Sequence, residues 1–267
     1  MYNLNRSGNR QYNQLRPIKV TYDSFGYALG NVLFEQGNTK ILCSITLQRG
    51  VPFFLKGTRS GWLTAQYSLL PSATQMRGQR ESVTLKRNNR SIEISRLIGR
   101  ALRVVVDLNS IGENTIIVDC DVLQADGGTR CACITGSYLA LEVAEQRWLQ
   151  EGFLKKTILR EAIAATSVAI VDGKSFLDVD YNEDSNADAD FNVVLTSSGR
   201  LVELQGTAEK NPVSWKSFDQ LRELADHGIK DIFSKCAEYK PSHLIENKKQ
   251  EKVPLFSLHR RNDSIST

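Results

Sequence analysis

Short runs of β-branched and aromatic residues alternate with turn residues over the first part of the chain. The runs IKVTYDSF, NVLFEQ and TKILCSITL lie within residues 18–47 and are interrupted at Gly30 and at Gly37-Asn38. Glycine and asparagine favour tight turns, because they adopt left-handed backbone conformations more readily than other residues. The pattern therefore predicts hairpin-connected strands, followed over residues 51–75 by an irregular connection and one further strand.

Helical periodicity begins after a polar loop at residues 76–90. An amphipathic helix is predicted over residues 91–106, because apolar side chains recur on one face and arginines on another. The apolar positions are Ile94, Leu97, Ile98, Ala101, Leu102 and Val105, and the arginines are Arg96, Arg100 and Arg103. A strand-length apolar run at 115–123 and a second helical stretch at 131–149 follow.

The remainder of the chain repeats this order of strands and then a helix. Two strand pairs are predicted, ATSVAIVDG with SFLDVDY and FNVVLTSSG with RLVELQGTAE, and a long helix from Ser214 to about Tyr239 closes the domain. Two units of this kind predict a single α+β domain over residues 1–242, with half-domains of about 17–150 and 151–242. Periodicity is lost after that, which predicts a basic, flexible C-terminal tail at 243–267.

Composition supports a folded chain, with 41% hydrophobic and 24% charged residues among 267. No apolar run approaches the roughly 18 residues of a membrane span, and the polar N-terminus lacks the apolar core of a signal peptide, so a cytoplasmic protein is expected. The five cysteines lie in apolar or helical segments and are expected to be reduced core residues. Their spacing from the three histidines argues against a structural zinc site.

Charge is distributed unevenly although the net charge is only +4. Between Arg77 and Arg103 eight basic residues stand against two acidic ones, a local balance of +6, and between Asp178 and Asp190 there are six acidic residues and no basic one. The basic segment is suited to a polynucleotide backbone, because each Lys or Arg can neutralise one phosphate. The alternative is that its helical arginines form the solvated face of an amphipathic helix.

The segment DGGTR at residues 126–130 lies between a predicted strand and a predicted helix. Unpaired backbone N–H groups at a helix N-terminus favour an anion, two glycines allow close approach, and the threonine and arginine add donors suited to phosphate. A tight strand-to-helix turn with an exposed arginine is the structural alternative.

Clustered carboxylates form the loop EDSNADAD at residues 183–190, between two predicted strands. Such oxygen ligands suit Mg²⁺, which takes one or two carboxylates together with substrate phosphates. A carboxyl group with a raised pKa in this loop would also donate a proton to a leaving oxygen. A solvated acidic turn is the alternative.

Several ordered segments together resemble the ribonuclease PH family of phosphorolytic exoribonucleases. They are GNTKILCSITLQRGVPFFLKG, SRLIGRALR, DCDVLQADGGTR, EDSNADADFNVV and VELQGTAE, and the resemblance runs from residue 14 to about Tyr239. It implies an α+β fold of two βαβα halves related to the second domain of ribosomal protein S5, and a homohexameric ring built as a trimer of dimers.

The resemblance also implies an activity: phosphate-dependent 3′-to-5′ removal of extra nucleotides from precursor tRNA and other RNA 3′ ends. Inorganic phosphate would be the co-substrate, nucleoside diphosphates the products, and Mg²⁺ or Mn²⁺ the metal; the reverse reaction would add nucleotides. The residues that match the family's motifs are, for phosphate, Arg90, Gly128, Thr129 and Arg130; for metal and catalysis, Asp184 and Asp190; and for RNA, Arg77 and Arg80.

Three departures from the family pattern concern the predicted RNA and phosphate contacts. Asn88-Asn89 replaces a Gly-Gly pair before Arg90, Ser72 replaces a basic residue, and Gln66 replaces a glutamate. We expect these changes to affect RNA affinity more than phosphorolysis. A catalytically inactive RNA-binding ring subunit of an exosome-like assembly is the alternative, and a hydrolytic two-metal nuclease ranks below it; the joint presence of phosphate and metal residues favours the enzyme.

Overall fold

A computed structural model describes residues 6–84 and 88–240 of the chain. The first half forms a five-stranded sheet in the order β1-β2-β3-β5-β4, in which β4 is parallel to β5 and the other neighbours are antiparallel. The strands are β1 Ile18–Tyr22, β2 Gly30–Gln36, β3 Thr39–Arg49, β4 Trp62–Leu69 and β5 Asn114–Gln124. The helices of this half are α1 Glu81–Thr84, α2 Asn89–Val105 and α3 Thr129–Gln150.

The second half forms an antiparallel four-stranded sheet in the order β7-β6-β8-β9. Its strands are β6 Ile163–Val171, β7 Lys174–Leu177, β8 Ala189–Thr196 and β9 Leu201–Ala208, and its helices are α4 Tyr181–Ser185 and α5 Trp215–Glu238. The predicted α+β class is confirmed. The observed order, ββββααβα followed by ββαββα, adds strands to the simpler βαβα outline.

Helix α3 lies between the two sheets and belongs to the core on every side. It packs against β2 and β3 of the first sheet and against β6 of the second. Its buried residues are spread around the whole helix, which is typical of a helix enclosed by protein. One hydrophobic cluster consequently includes side chains from both sheets and from α2, α3 and α5. The N-terminal end of α3 is therefore held rigidly against both halves.

Local differences from the predicted boundaries have identifiable causes. Helix α2 begins at Asn89 because the side chain of Asn88 accepts a hydrogen bond from the backbone N–H of Arg90 and caps the helix. The predicted polar loop before it contains the short helix α1. Gly30 begins β2 instead of lying in a turn: it is buried, and a side chain there would overlap the backbone of α3 at Ala140.

The five cysteines are free and buried, which confirms that they are core residues. Among the described residues, no helix combines the length and the apolar character needed to cross a membrane. The predicted tail at 243–267 lies outside the described residues, as do Lys86 and Arg87 of the basic segment.

Candidate active site

A cavity of about 570 Å³ lies where the N-terminus of α3 meets the loops of the second half. Its lining comes from β4, the segment after it, the start of α2, the loop before α3, and β6, α4 and β8. Six of the eight site residues predicted from the sequence line this one cavity, although they are far apart in the chain: Arg90, Gly128, Thr129, Arg130, Asp184 and Asp190.

The two remaining predicted residues, Arg77 and Arg80, lie on the exposed segment between β4 and α1. Neither belongs to the lining of the cavity, but their neighbours Met76, Gly78 and Gln79 do. The guanidinium of Arg77 donates only to the backbone oxygen of Gly78, at 3.4 Å, among the contacts of the described residues. Both arginines therefore stand beside the cavity and not within it.

The N-terminal end of α3 provides the donors of the site. Gly128 is the N-cap residue, with φ of 65°, and no side chain caps the helix. The first backbone N–H groups of a helix have no intrahelical acceptor, and the helix dipole makes this end positive. A 22-residue helix thus presents unpaired N–H groups to the cavity, an arrangement suited to an anion.

Close packing explains the glycine at position 127. Its φ is 77°, and a Cβ atom there would lie 2.7 Å from the backbone oxygen of Val179 and 2.7 Å from the carbonyl carbon of Asp180. Only glycine allows the loop before α3 to approach the 178–181 segment of the second half this closely. The anion-binding end of α3 is thereby placed against the segment that leads to the acidic loop.

The hydroxyl of Thr129 is oriented by a buried tyrosine. Tyr67 Oη donates a hydrogen bond to Thr129 Oγ1 at 3.2 Å, and burial raises the pKa of Tyr67 above its ordinary value, so that it remains a donor. Because the oxygen of Thr129 already accepts this bond, its own hydrogen is available to a ligand in the cavity.

The guanidinium of Arg130 has one nitrogen with a hydrogen-bond partner and another without one among the described residues. Its Nη2 donates to Glu93 of α2 at 3.1 Å, whereas its Nε is buried without a hydrogen-bond partner in the part of the chain that the structure describes. A buried donor without a partner is costly unless a ligand accepts from it. Arg90, at the start of α2, adds a second guanidinium to the same cavity lining.

The carboxylates Asp184 of α4 and Asp190 of β8 line the same cavity as these donors. Loss of hydration raises the pKa of Asp184, while the charges of Arg90 and Arg130 oppose the shift. Loss of hydration also raises the pKa of Asp190, and the negative charge of Asp184 adds to it. The negative charge of Asp184 thus acts on Asp190, and both carboxylates line the same cavity.

Magnesium fits the chemistry of this pair. Within residues 6–84 and 88–240 no group of three or more His, Cys, Asp or Glu side chains is arranged as a metal site. Mg²⁺, however, commonly takes only one or two protein carboxylates and completes its coordination with substrate oxygens and water. Asp184 and Asp190 line a cavity that also contains donors suited to phosphate, so the donor set is adequate for a cation bound together with its substrate.

A buried ion pair that was not predicted from the sequence connects the segment before β1 with the segment before α4. Asp178 accepts hydrogen bonds from Arg16 through the backbone N–H at 2.7 Å, Nε at 3.1 Å and Nη2 at 2.6 Å. Arg16 also donates to the backbone oxygen of Asp126, in the loop before α3. Because 162 residues separate the pair, no local spacing could have indicated it.

A second missed cluster supports α4. The carboxylate of Glu183 accepts from Arg6 Nε at 2.7 Å, and Arg10 Nη2 lies 3.4 Å from the same carboxylate. Glu183 also completes a capping box with Asp180 at the start of α4. The N-terminal segment therefore fixes the short helix that carries Asp184.

Comparisons with known proteins point to one family. Residues 14–145 match domain 1 of the 3′ exoribonuclease family and residues 161–227 match domain 2. A Ribonuclease PH of Tropheryma whipplei (strain Twist) is 52% identical over 227 residues, covering 85% of this chain and 92% of that protein. The Ribonuclease PH of strain TW08/27 matches with the same values.

Solved structures share the fold at lower identity. An Archaeoglobus fulgidus exosome with RNA bound to the active site contains a chain that aligns with a TM-score of 0.74 and 20% identity, covering 86% of this chain and 92% of that one. An archaeal exosome core aligns with a TM-score of 0.70 and 20% identity, covering 86% and 90%. At this identity the likeness establishes the fold alone.

Proposed function

The chain belongs to the 3′ exoribonuclease family that includes ribonuclease PH, and from this premise we propose that the cavity described above is its active site. The chain is a phosphorolytic 3′-to-5′ exoribonuclease, a tRNA nucleotidyltransferase that trims precursor tRNA and releases nucleoside diphosphates. One observation carries the assignment of the site: an unpaired helix N-terminus, two arginines and two carboxylates line a single cavity.

Inorganic phosphate is held at the donor end. Arg90 and Arg130 supply guanidinium groups, the backbone at Gly128 and the hydroxyl of Thr129 supply further hydrogen-bond donors, and all four line the cavity. Fixed donors of this kind both orient the nucleophile and stabilise the charge that develops on the transferred phosphoryl group.

The proposed reaction needs no reactant other than RNA and inorganic phosphate. An oxygen of inorganic phosphate forms a bond to the phosphorus of the terminal phosphodiester, and the bond from that phosphorus to O3′ of the penultimate nucleotide breaks. The terminal nucleotide leaves as a nucleoside diphosphate, and O3′ of the shortened RNA takes a proton. The raised pKa suits one carboxyl group of the Asp184 and Asp190 pair to supply that proton, and the proton given up by the attacking phosphate restores it.

The same two carboxylates, Asp184 and Asp190, would hold Mg²⁺ or Mn²⁺ together with substrate oxygens. When bound, such a cation offsets the negative charge of the reacting phosphates. The carboxylates themselves are suited to position the 3′ end beside the phosphate, since they line the same cavity as the phosphate donors.

RNA enters past the exposed segment between β4 and α1. Arg77 and Arg80 lie on this segment beside the cavity and are suited to the RNA backbone, a contact that carries little sequence information. Ser72, on the same segment, is exposed and lacks the charge found at that position in the family. Gln66 is exposed on β4 and is not part of the cavity lining, so its departure lies away from the reacting groups.

A cytoplasmic homohexameric ring, a trimer of dimers, is the assembly that we propose. It is supported by the fold likeness to chains of exosome cores. Large apolar side chains on the described surface also remain exposed, among them Tyr27 and Phe53 at 89% and Trp215 at 83%. Light scattering should give about 180 kDa, six times the chain mass of 29.9 kDa.

Product analysis tests the activity. An RNA with an unpaired 3′ tail is incubated with the full chain and Mg²⁺, with and without inorganic phosphate, beside the Arg130→Ala variant. Nucleoside diphosphates should form only with phosphate and should be strongly reduced in the variant. Monophosphates formed without phosphate would indicate hydrolysis, and bound but intact RNA would indicate the inactive ring subunit.

A further inference from the structure

Ser167 has a buried hydroxyl that forms no hydrogen bond with the described residues. The residue lies on β6, is 5% exposed, and lines the same cavity as Arg130 and the two carboxylates. Its Oγ is buried and has no hydrogen-bond partner among the described residues. Buried hydroxyl groups are normally satisfied, because leaving one unpaired costs free energy.

The neighbouring carboxylate of Asp178 already accepts hydrogen bonds from another side chain. Both oxygens of Asp178 accept hydrogen bonds from Arg16, and no bond links this carboxylate to Ser167. The backbone oxygen of Ser167 accepts a hydrogen bond from the N–H of Asp178 at 2.7 Å. This bond fixes the backbone of the residue and does not involve the hydroxyl. The backbone of Ser167 is therefore held in place while its hydroxyl donor is unused.

The surroundings of the hydroxyl are those of an anion site. Ser167 Oγ lies 3.8 Å from the position of a Cβ atom built on Gly128, at the N-terminus of α3; Arg16 Nη2 lies 3.0 Å from that position, and Oδ1 of its ion-pair partner Asp178 lies 4.0 Å away. Across the sheet it is in register with Asn192 of β8, which also lines the cavity. The Oδ1 of Asn192 accepts from the Cys131 thiol at 3.2 Å, which leaves its amide N–H₂ as a donor.

We propose that the hydroxyl of Ser167 donates a hydrogen bond to the inorganic phosphate co-substrate, as a phosphate-binding residue in addition to those identified above. The inference rests on the proposed function for the identity of the ligand. Inorganic phosphate is an anion rich in acceptor oxygens, and it can accept from both buried side-chain donors of this cavity that lack partners among the described residues, Ser167 Oγ and Arg130 Nε.

Ser167→Ala is the direct test, because it removes the hydroxyl and leaves no group to be satisfied. The KM for phosphate should rise about tenfold or more, as expected for one hydrogen bond to a charged group, while the KM for RNA is unchanged. The melting temperature without phosphate should be equal to or above that of the wild type. The increase in melting temperature caused by inorganic phosphate should become smaller.

Ser137→Ala is the matched control. Ser137 is also fully buried, but its hydroxyl is paired with the Cys120 thiol at 3.0 Å, within the core part of α3. This variant should keep the wild-type KM for phosphate and should gain no stability. A merely structural serine at position 167 would behave in the same way as Ser137.

Two results would overturn the proposal. The first is a Ser167→Ala variant whose KM for phosphate and whose phosphate-induced rise in melting temperature both equal those of the wild type. The second is a wild-type protein whose melting temperature does not change when phosphate is added. Failure of the proposed function gives a different result, since the wild type would then release no nucleoside diphosphates. The phosphate-induced rise in melting temperature requires no turnover. A rise that is present in the wild type and smaller in Ser167→Ala would therefore support the binding role even if no nucleoside diphosphates were released.

Discussion

Asp178→Asn should destabilise the protein strongly, although the substitution changes only one charge. Asp178 and Arg16 have side chains that are only 2% and 3% exposed, and they are joined by an ion pair of 2.6 Å. Removing the negative charge leaves the Arg16 guanidinium buried without its counter-ion. Breaking such a pair costs about 3–5 kcal/mol, because the remaining charge has neither water nor its paired carboxylate.

Backbone geometry makes asparagine the right replacement. Asp178 has φ of 52°, a left-handed conformation that asparagine tolerates better than most residues. The measured loss therefore reports the charge and not backbone strain. In a chain of this size, 1 kcal/mol corresponds to about 2–4 °C, so the melting temperature should fall by roughly 6–20 °C.

The pH dependence of stability provides a second readout of the same pair. Burial alone would raise the pKa of Asp178, but the charge and hydrogen bonds of Arg16 lower it below its ordinary value. A carboxyl group whose pKa is lower in the folded state stabilises the protein above its unfolded pKa of about 3.9, and this contribution is lost as pH falls through the folded value. Asp178→Asn should lack this acid-dependent component.

Urea unfolding followed by tryptophan fluorescence, at fixed protein concentration, measures the loss; Trp148 is a suitable probe because it is 1% exposed. Asp172→Asn is the matched control, since Asp172 also has positive φ, 48°, but is exposed in the turn between β6 and β7. It should change stability by no more than about 0.5 kcal/mol. A loss below about 1 kcal/mol in Asp178→Asn would refute the reasoning.

Three further substitutions test the site. Arg130→Lys should raise the KM for phosphate about tenfold, because a lysine lacks the planar fork; an unchanged KM in steady-state assays would argue against a direct contact. Asp190→Asn should lower kcat about 100-fold or more while the phosphate-induced rise in melting temperature persists, and undiminished turnover would exclude a catalytic role. Gly127→Ala should cost about 2–6 kcal/mol in urea unfolding, from left-handed strain plus overlap with the 178–181 backbone. Gly173→Ala, with φ of 73° and no atom within 4 Å of the added Cβ, should show the strain alone; equal losses would contradict the packing argument.

Features that are determined by residues close together in the chain could be predicted from the sequence. Helical periodicity indicated α2 to within two residues of its observed start, and the difference arises from the cap at Asn88. The loop before α3 and the acidic loop were recognised as candidate anion and cation sites, because glycine content, charge and helix position are local properties. The structure brings both to one cavity.

Long-range contacts could not be predicted in this way. Arg16 and Asp178 are 162 residues apart, and Arg6 and Glu183 are 177 apart, so their pairing depends on how the two sheets pack. Ser167 lies within a buried strand and has no distinguishing neighbours in the sequence. Its unused hydroxyl becomes evident only when the hydrogen bonds around it are known.

The fate of the phosphate co-substrate decides whether the reaction is phosphorolysis. RNA with an unpaired 3′ end is incubated with the full chain, Mg²⁺ and ³²P-labelled inorganic phosphate, and the mononucleotides are separated. Attack by phosphate held at Arg90 and Arg130 predicts that the label appears in the β-phosphate of nucleoside diphosphates. Unlabelled nucleoside monophosphates as the sole mononucleotide product would contradict it.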